Sequence, residues 1–236
     1  MSKLGLVALL PMKANSERVP SKNFRNFAGK PLYRWILNSL LGLPEIDLVV
    51  INTDAREILA QSGLQDSERV MIRDRKPEIC GDMVSMNLVL ADDVDNVEAN
   101  GYLMTHTTNP LLKSDTIRRA IAEFEAAERA GRADSLFAVS RHQTRFYRAD
   151  ATPVNHDPAN LVRTQDLEPW FEENSNLYLF TKRSFRASGA RIGKKPLMFE
   201  VPKGEAADID DQNDWDIAEA IALRRQSYDE NVSENR

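Results

Sequence analysis

A continuous apolar run from Leu4 to Leu10 gives way at once to Lys13-Ala14-Asn15-Ser16-Glu17-Arg18-Val19-Pro20-Ser21-Lys22-Asn23, and from Pro31 to Leu41 apolar residues return at helical spacing. This is a strand, a basic hydroxyl-bearing loop and a helix. A packing segment between those two elements would be apolar, whereas this one carries three cations. In open α/β sheets such a strand-to-helix crossover is where ligands bind.

The same alternation continues along the chain. Asp47 to Asn52 reads as a second strand, and Thr53-Asp54 is expected to cap a short helix from Ala55 to Gly63. Arg69 to Ile72 is a third strand, Asp82 to Val94 a helix, and Tyr102 to Thr105 a fourth strand ending in Thr107-Thr108-Asn109-Pro110. A capped helix is expected from Ser114, with Ile117, Ala120, Ile121 and Phe124 on one face and Gly131 at its end, followed by a strand from Ser135 to Val139. Strand-helix alternation of this kind is the doubly wound α/β pattern. It lapses from Ser140 to Glu173, a stretch rich in Arg, His, Asp, Asn and Pro that suits loops and hairpins inserted into the core. Asn176 to Thr181 and Leu197 to Val201 return to strand character, and Asn213 is placed to cap a last helix. The expected organisation is one α/β domain over 1–227, an inserted lobe at about 140–175, and a polar tail over 228–236.

Composition narrows the function. The chain has 236 residues, 42% of them apolar, enough for one large core. A net charge of −5 with both signs interspersed gives no broad basic face for nucleic acid. No apolar stretch approaches the ~20 residues of a membrane span, and Met1-Ser2-Lys3 leads into the first strand without a signal-peptide pattern, so a cytoplasmic protein is expected. The single cysteine, Cys80, excludes an internal disulfide and a thiolate metal cluster.

Two constellations carry chemistry. Lys13, Arg18 and Lys22, with the Ser16 hydroxyl, can stabilise the charge that develops when the α-phosphorus of a nucleoside triphosphate is attacked and pyrophosphate leaves. The loop's one glycine, Gly29, lies at its far end, so the loop is neither a Walker A cradle nor a dinucleotide fingerprint, and side chains must do more of the binding. A solvated basic loop is the alternative; Pro20 and the flanking strand and helix favour phosphate. The second is Asp208-Ile209-Asp210-Asp211. Carboxylates at i and i+2 of an extended segment point the same way and can share a hard cation such as Mg²⁺, with Ile209 facing the core. A surface turn into the last helix is the plain alternative.

These residues resemble a known family. Ser16, Pro20, Lys22 and Asn23, then Ala28-Gly29-Lys30-Pro31-Leu32, Asn52-Thr53-Asp54, Arg75-Lys76-Pro77-Glu78 with Asp82 and Ser85, Asn109-Pro110-Leu111, Gln165-Asp166-Leu167 with Asn174, Leu177-Tyr178-Leu179-Phe180 and Asp208-Ile209-Asp210 are similar, in order, to the acylneuraminate cytidylyltransferases. Those enzymes make CMP-activated sialic acids, and relatives activate other nonulosonic acids and 3-deoxy-manno-octulosonate. The resemblance implies a doubly wound, Rossmann-like mixed sheet of the nucleotide-diphospho-sugar transferase type, a small inserted dimerisation lobe, a homodimer, and transfer of CMP from CTP to an acidic acceptor with Mg²⁺. Surface polysaccharide or flagellin modification would be the setting.

Carried over position by position, the resemblance puts Lys13, Ser16, Arg18 and Lys22 on the triphosphate, Asn23 on cytosine, Arg75 and Ser85 on the cytidine, and the metal on Asp208 and Asp210. Lys13, Arg18, Lys22 and Asp210 would be the catalytic set. An Asn amide offers the donor and acceptor that the edge of cytosine needs. The departures are informative. Glu17 and Arg18 stand where the family has lysine and glycine, so Arg18 is expected to take part of the phosphate contact and Glu17 to face solvent or a lysine. His106-Thr107-Thr108-Asn109-Pro110 replaces a Gln-Pro-Thr-Ser-Pro segment that contacts the sugar, which makes His106, Thr108 and Asn109 acceptor candidates. Thr164 holds an expected arginine position, with Arg163 beside it as a further acceptor candidate. His106 is read either as a hydrogen-bonding or proton-accepting group, or as a structural residue at a strand end. Arg141, His142, Arg145, Arg148 and Arg163 either close over a neighbouring subunit's site or form surface salt bridges. The acceptor stays open between a nonulosonic or related 2-keto sugar acid and a smaller acid such as a phosphonate; a catalytically silent nucleotide-binding homologue is the reading from another class.

Overall fold

The computed structural model describes residues 4–234, and side chains over 5–228. Strand β1 (Leu4–Leu9) enters the basic loop, which leads to a two-residue hairpin of β2 (Asn26–Phe27) and β3 (Lys30–Pro31). Its turn holds Ala28 and Gly29 at φ 45° and 94°, the paired left-handed conformation that tight hairpins require. Helix α1 (Leu32–Leu41) follows, burying Leu32, Tyr33, Ile36, Leu37 and Leu40 along one stripe. Next come β4 (Leu48–Thr53), α2 (Arg56–Gln61), β5 (Val70–Asp74), α3 (Met86–Asn96), β6 (Ala99–Thr105), α4 (Ser114–Arg129), β7 (Ser135–His142), β8 (Trp170–Thr181), α5 (Lys182–Ser188), β9 (Pro196–Glu200) and α6 (Gln212–Glu234).

The main sheet has the order β5-β4-β1-β6-β8-β7-β9. Strands β5, β4, β1 and β6 are parallel, β8 is antiparallel to both β6 and β7, and β9 returns parallel to β7. The mixed doubly wound sheet is thus the one expected. Every residue of β4 is buried, as a central strand covered on both faces must be. One core layer packs α1 and α4 against the sheet, and a second lies on the opposite face under α3 and α5. The chain leaves β1 toward β4 and β5 and then crosses back to β6 on the other side of β1. That reversal opens a crevice at the carboxyl ends of β1 and β6.

Several boundaries differ from expectation, each for a local reason. Helix α3 begins at Met86 rather than Asp82, because Ser85 is its N-cap and its hydroxyl accepts from the Asn87 N–H. The last helix is capped by Asp211, whose carboxylate accepts from the Asn213 and Asp214 N–H groups, and not by Asn213. It runs through Glu234, so most of the expected tail is helical; residues 235 and 236 lie outside the described residues. Neither Thr53-Asp54 nor Ser114 makes the expected cap. Ala55 precedes α2, with the Thr53 hydroxyl accepting from its N–H, while Ser114 lies inside α4 and donates to the Ser39 carbonyl. Strand β7 extends to His142, where Arg141 and His142 pair with Phe171 and Trp170 of β8, so part of the expected lobe is a sheet extension. Helix α5, closed by a reciprocal Thr181–Ser184 capping box, was not anticipated. Among the described residues no helix is long and apolar enough to cross a membrane.

Candidate active site

The basic loop is held by packing as well as by charge. Val19, 1% exposed, joins Phe27, Leu32, Ile209 and Trp215 in a third apolar cluster, so the loop and the acidic segment share one anchor. After Val19 the chain turns through Ser21, at φ 53°, whose carbonyl accepts from the Phe24 and Arg25 N–H groups. The turn drives Lys22 and Asn23 inward, to 7% and 6% exposure.

These residues surround a cavity of about 380 Å³. Its wall includes Lys13, Ser16, Arg18, Lys22 and Asn23 of the loop, Arg75 from beyond β5, and His106 and Thr108 from the end of β6. Lys22 Nζ donates to the Ile209 carbonyl at 2.6 Å, and Arg18 Nη2 donates to Asp210 Oδ1 at 2.6 Å. Burial lowers the Lys22 pKa, opposed by Asp210 and Asp208. Lys13 pairs with Asp82, and chiefly for that reason the Asp82 carboxyl lies below its usual range. Glu17 lines the cavity and is exposed, so of its two expected settings it takes the one facing solvent.

Asn23 is clamped on both sides of its amide. Nδ2 donates to the Lys13 carbonyl at 2.7 Å, and Oδ1 accepts from the Thr107 hydroxyl at 2.6 Å. One N–H and one lone pair remain for a ligand. Arg75 is also held from behind: its Nε donates to Asn52 Oδ1 at 2.9 Å, and Asn52 Nδ2 donates to Asp93 Oδ1 at 2.8 Å. Asp93 is fully buried, and burial raises its pKa to about 6 despite Arg73 at 3.1 Å.

Ile209 is fully buried, leaving Asp208 and Asp210 on the other side of the strand-like segment. Its N–H donates to the Thr108 carbonyl at 2.9 Å, which ties the acidic segment to the end of β6. Asp208 Oδ1 is buried without a hydrogen-bond partner, and burial followed by the Asp210 charge raises the Asp208 pKa. An orphaned carboxylate oxygen beside a second carboxylate fits a hard divalent cation, which would remove that cost. Among the described residues no group of three or more acidic, histidine or cysteine side chains is arranged for a metal, so further ligands would come from phosphate or water.

Five residues named from sequence are not on the cavity wall: Asp208 and Asp210 adjoin it through Arg18 and the Lys22–Ile209 contact, and Ser85, Asn109 and Arg163 are engaged elsewhere. Ser85 is occupied as the α3 cap. Asn109 is fully buried, and its Nδ2 donates to the Ala207 carbonyl, bracing the segment that leads to Asp208. Arg163 is exposed and forms a two-pronged pair with Asp166 at 2.7 and 3.0 Å. His106 does line the cavity, but burial, Arg191 and Lys22 drive its pKa down to about 3. A neutral imidazole of that kind donates or accepts a hydrogen bond but is a poor proton acceptor at neutral pH. Sequence reasoning missed Arg191, whose position 85 residues beyond His106 leaves no local signal, and the Asn52–Asp93 support behind Arg75.

The fold and cavity define a nucleotidyltransferase-type α/β protein with a cationic loop facing a paired-carboxylate segment. The sequence model described as Cytidylyltransferase matches residues 7–200, and the chain belongs to that family. It is similar to an N-acylneuraminate cytidylyltransferase of Oncorhynchus mykiss, 26% identical over 94% of this chain and 51% of the relative. It is also similar to a pseudaminic acid cytidylyltransferase of Campylobacter jejuni, 22% identical over 91% of this chain and 95% of the relative. The chain therefore spans about half the length of the fish relative. The fold is shared with a solved CMP:2-keto-3-deoxy-manno-octonic acid synthetase complexed with CTP, at TM-score 0.66 and 13% identity, covering 94% of this chain and 99% of that one.

Proposed function

We propose that the protein transfers CMP from CTP to an acidic acceptor, a nonulosonic or related 2-keto sugar acid, and releases pyrophosphate. The observation that carries this reading is the convergence of Lys13, Ser16, Arg18 and Lys22 on one cavity, with Arg18 and Lys22 hydrogen-bonded to Asp210 and to the Ile209 carbonyl of the Asp208–Asp210 segment. An acceptor oxygen forms the new bond to the α-phosphorus, the bond from that phosphorus to the pyrophosphate oxygen breaks, and the acceptor's proton leaves to solvent. Catalysis then rests on positioning and charge neutralisation.

Lys22 is the fixed cation: buried and tied to the Ile209 carbonyl, it points at developing charge with little reorganisation. Arg18 sits against Asp210 until phosphate competes for its guanidinium. Asn23 offers its remaining N–H and lone pair to the base, and Arg75 is aimed by Asn52. Asp208 and Asp210 would hold Mg²⁺, which when bound would neutralise charge on the phosphates. The orphaned Asp208 oxygen also argues against a silent homologue, because nucleotide binding alone gives no reason to bury a carboxylate oxygen without a partner. A homodimer through the 140–175 lobe belongs to the same reading, supported by Tyr147, Trp170 and Phe171 exposed there.

The test is pyrophosphate release with CTP and Mg²⁺ against sialic, legionaminic, pseudaminic and octulosonic acids and small phosphonates. Release with a sugar acid is expected, and Asp210→Ala should lower it by about 100-fold or more while the fold is unchanged. Release only with a phosphonate would replace the acceptor class. CTP binding without release from any acid would return the silent-homologue reading, and near-normal Mg²⁺-dependent release by Asp210→Ala would remove the metal assignment.

A further inference from the structure

Arg191 lies on the segment between α5 and β9, far in sequence from every residue of the cavity wall. The fold nevertheless fixes it beside the wall. Gly189, at φ 70°, ends α5 and turns the chain back toward α3. The Arg191 N–H then donates to Asn87 Oδ1 on α3 at 3.3 Å, and the next residue, Ile192, packs against the apolar layer under that helix. Met86 and Val89, on either side of Asn87, line the cavity.

The side chain is as well placed as its backbone. Its guanidinium lies 3.9 Å from the centre of the Tyr178 ring, and Tyr178 is the β8 residue paired with Met104 of β6, two residues before His106. Stacking on a ring holds the planar fork in place without using its N–H donors. Those donors have only long contacts, 3.5 Å to Glu173 and 4.0 Å to the Met104 sulfur. Glu173 is itself engaged by the Tyr178 hydroxyl. Arg191 is 20% exposed, and its charge acts on the His106 imidazole.

We propose that Arg191 is the anion-binding residue at the acceptor end of the cavity, taking an oxyacid group of the acceptor, carboxylate or phosphonate, while His106 hydrogen-bonds a neighbouring hydroxyl. This deepens the transfer reading above and rests on it for the word acceptor, although binding of the acid is measurable without turnover. A planar guanidinium whose donors have only these long contacts matches an oxyacid in a two-pronged geometry that lysine reproduces only in part.

The experiment is calorimetric titration of N-acetylneuraminate and, separately, of methylphosphonate into the protein with CTP and EDTA present, for wild type, Arg191→Met, Arg191→Lys and Glu173→Gln. Wild type should bind at least one acid. Arg191→Met should weaken that binding by about ten-fold or more, Arg191→Lys by less, and CTP affinity should move by less than about two-fold. Glu173→Gln, which removes the competing carboxylate, should tighten acid binding and remains informative if the methionine variant fails to fold. The methyl ester of N-acetylneuraminate should bind wild type weakly and lose its disadvantage in Arg191→Met. Equal acid affinity in wild type and Arg191→Met, parallel losses for acid and CTP, or no binding of either acid to wild type would overturn the proposal. Arg191-dependent binding without pyrophosphate release in the turnover assay would uphold this site and sink the transfer reading.

Discussion

Asn23 shows how much a single side chain is asked to do. Its amide joins the Lys13 carbonyl to the Thr107 hydroxyl, so it links the cationic loop to the end of β6 before any base arrives. Asn23→Asp would put a carboxylate oxygen where an N–H now meets the Lys13 carbonyl. Two acceptors would then face each other in a buried place, at a cost of about 1–3 kcal/mol. The expected outcome is a lower denaturation midpoint together with poorer discrimination between CTP and UTP, measured by urea unfolding and by competition kinetics. Unchanged discrimination in a stable variant would confine Asn23 to bracing the loop. The residue type and its place after Lys22 were legible in the chain; the double clamp was not, because Thr107 lies 84 residues away.

Strand β4, strand β5 and helix α3 act together behind Arg75. Asn52 at the end of β4 passes a hydrogen bond from Arg75 to Asp93 on α3, while Arg73 of β5 reaches both Asp92 and Asp93. Because burial raises the Asp93 pKa to about 6, the folded state holds that proton more tightly than the unfolded chain. Stability from this group therefore falls as pH rises from about 4 through about 6 and is level above that. Asp93→Asn keeps an acceptor for Asn52 and removes the titration, so urea unfolding between pH 4 and 7 should show a flatter pH dependence than wild type. An identical slope would show that Asp93 does not titrate in that window. Asn52 belongs to a segment that carries the family resemblance, but its link to Asp93 is not readable from the chain, since a polar residue at a strand end and an acid on a helix are ordinary until the sheet stacks them.

Taken whole, the molecule exposes a group of large apolar side chains on its inserted lobe. Tyr147, Leu161, Trp170 and Phe171 are 54%, 67%, 41% and 43% exposed, on and beside the extension of β7 and β8. A second copy of the chain is the occupant proposed, and sedimentation should show a dimer that Trp170→Asp shifts toward monomer; a monomeric wild type would remove that proposal. If a partner arginine completes the acceptor pocket, dilution below the dimer's dissociation constant should also lower acceptor affinity.

The alternating strands and helices, the basic crossover loop and the Asp208-Ile209-Asp210 segment were readable from the chain, because each depends on periodicity or on side chains within a few residues. Helix starts were less so. Ser85, Asp211 and Ala55 took the boundaries through local hydrogen bonds that several neighbouring polar residues were equally able to make. Whether Asn109 and Arg163 face the cavity, and whether Arg191 stands beside it, depended on how β6, β8 and the segment after α5 pack. Such contacts join residues tens of positions apart, and no local pattern encodes them; their energy appears only when the sheet closes and buries the groups together.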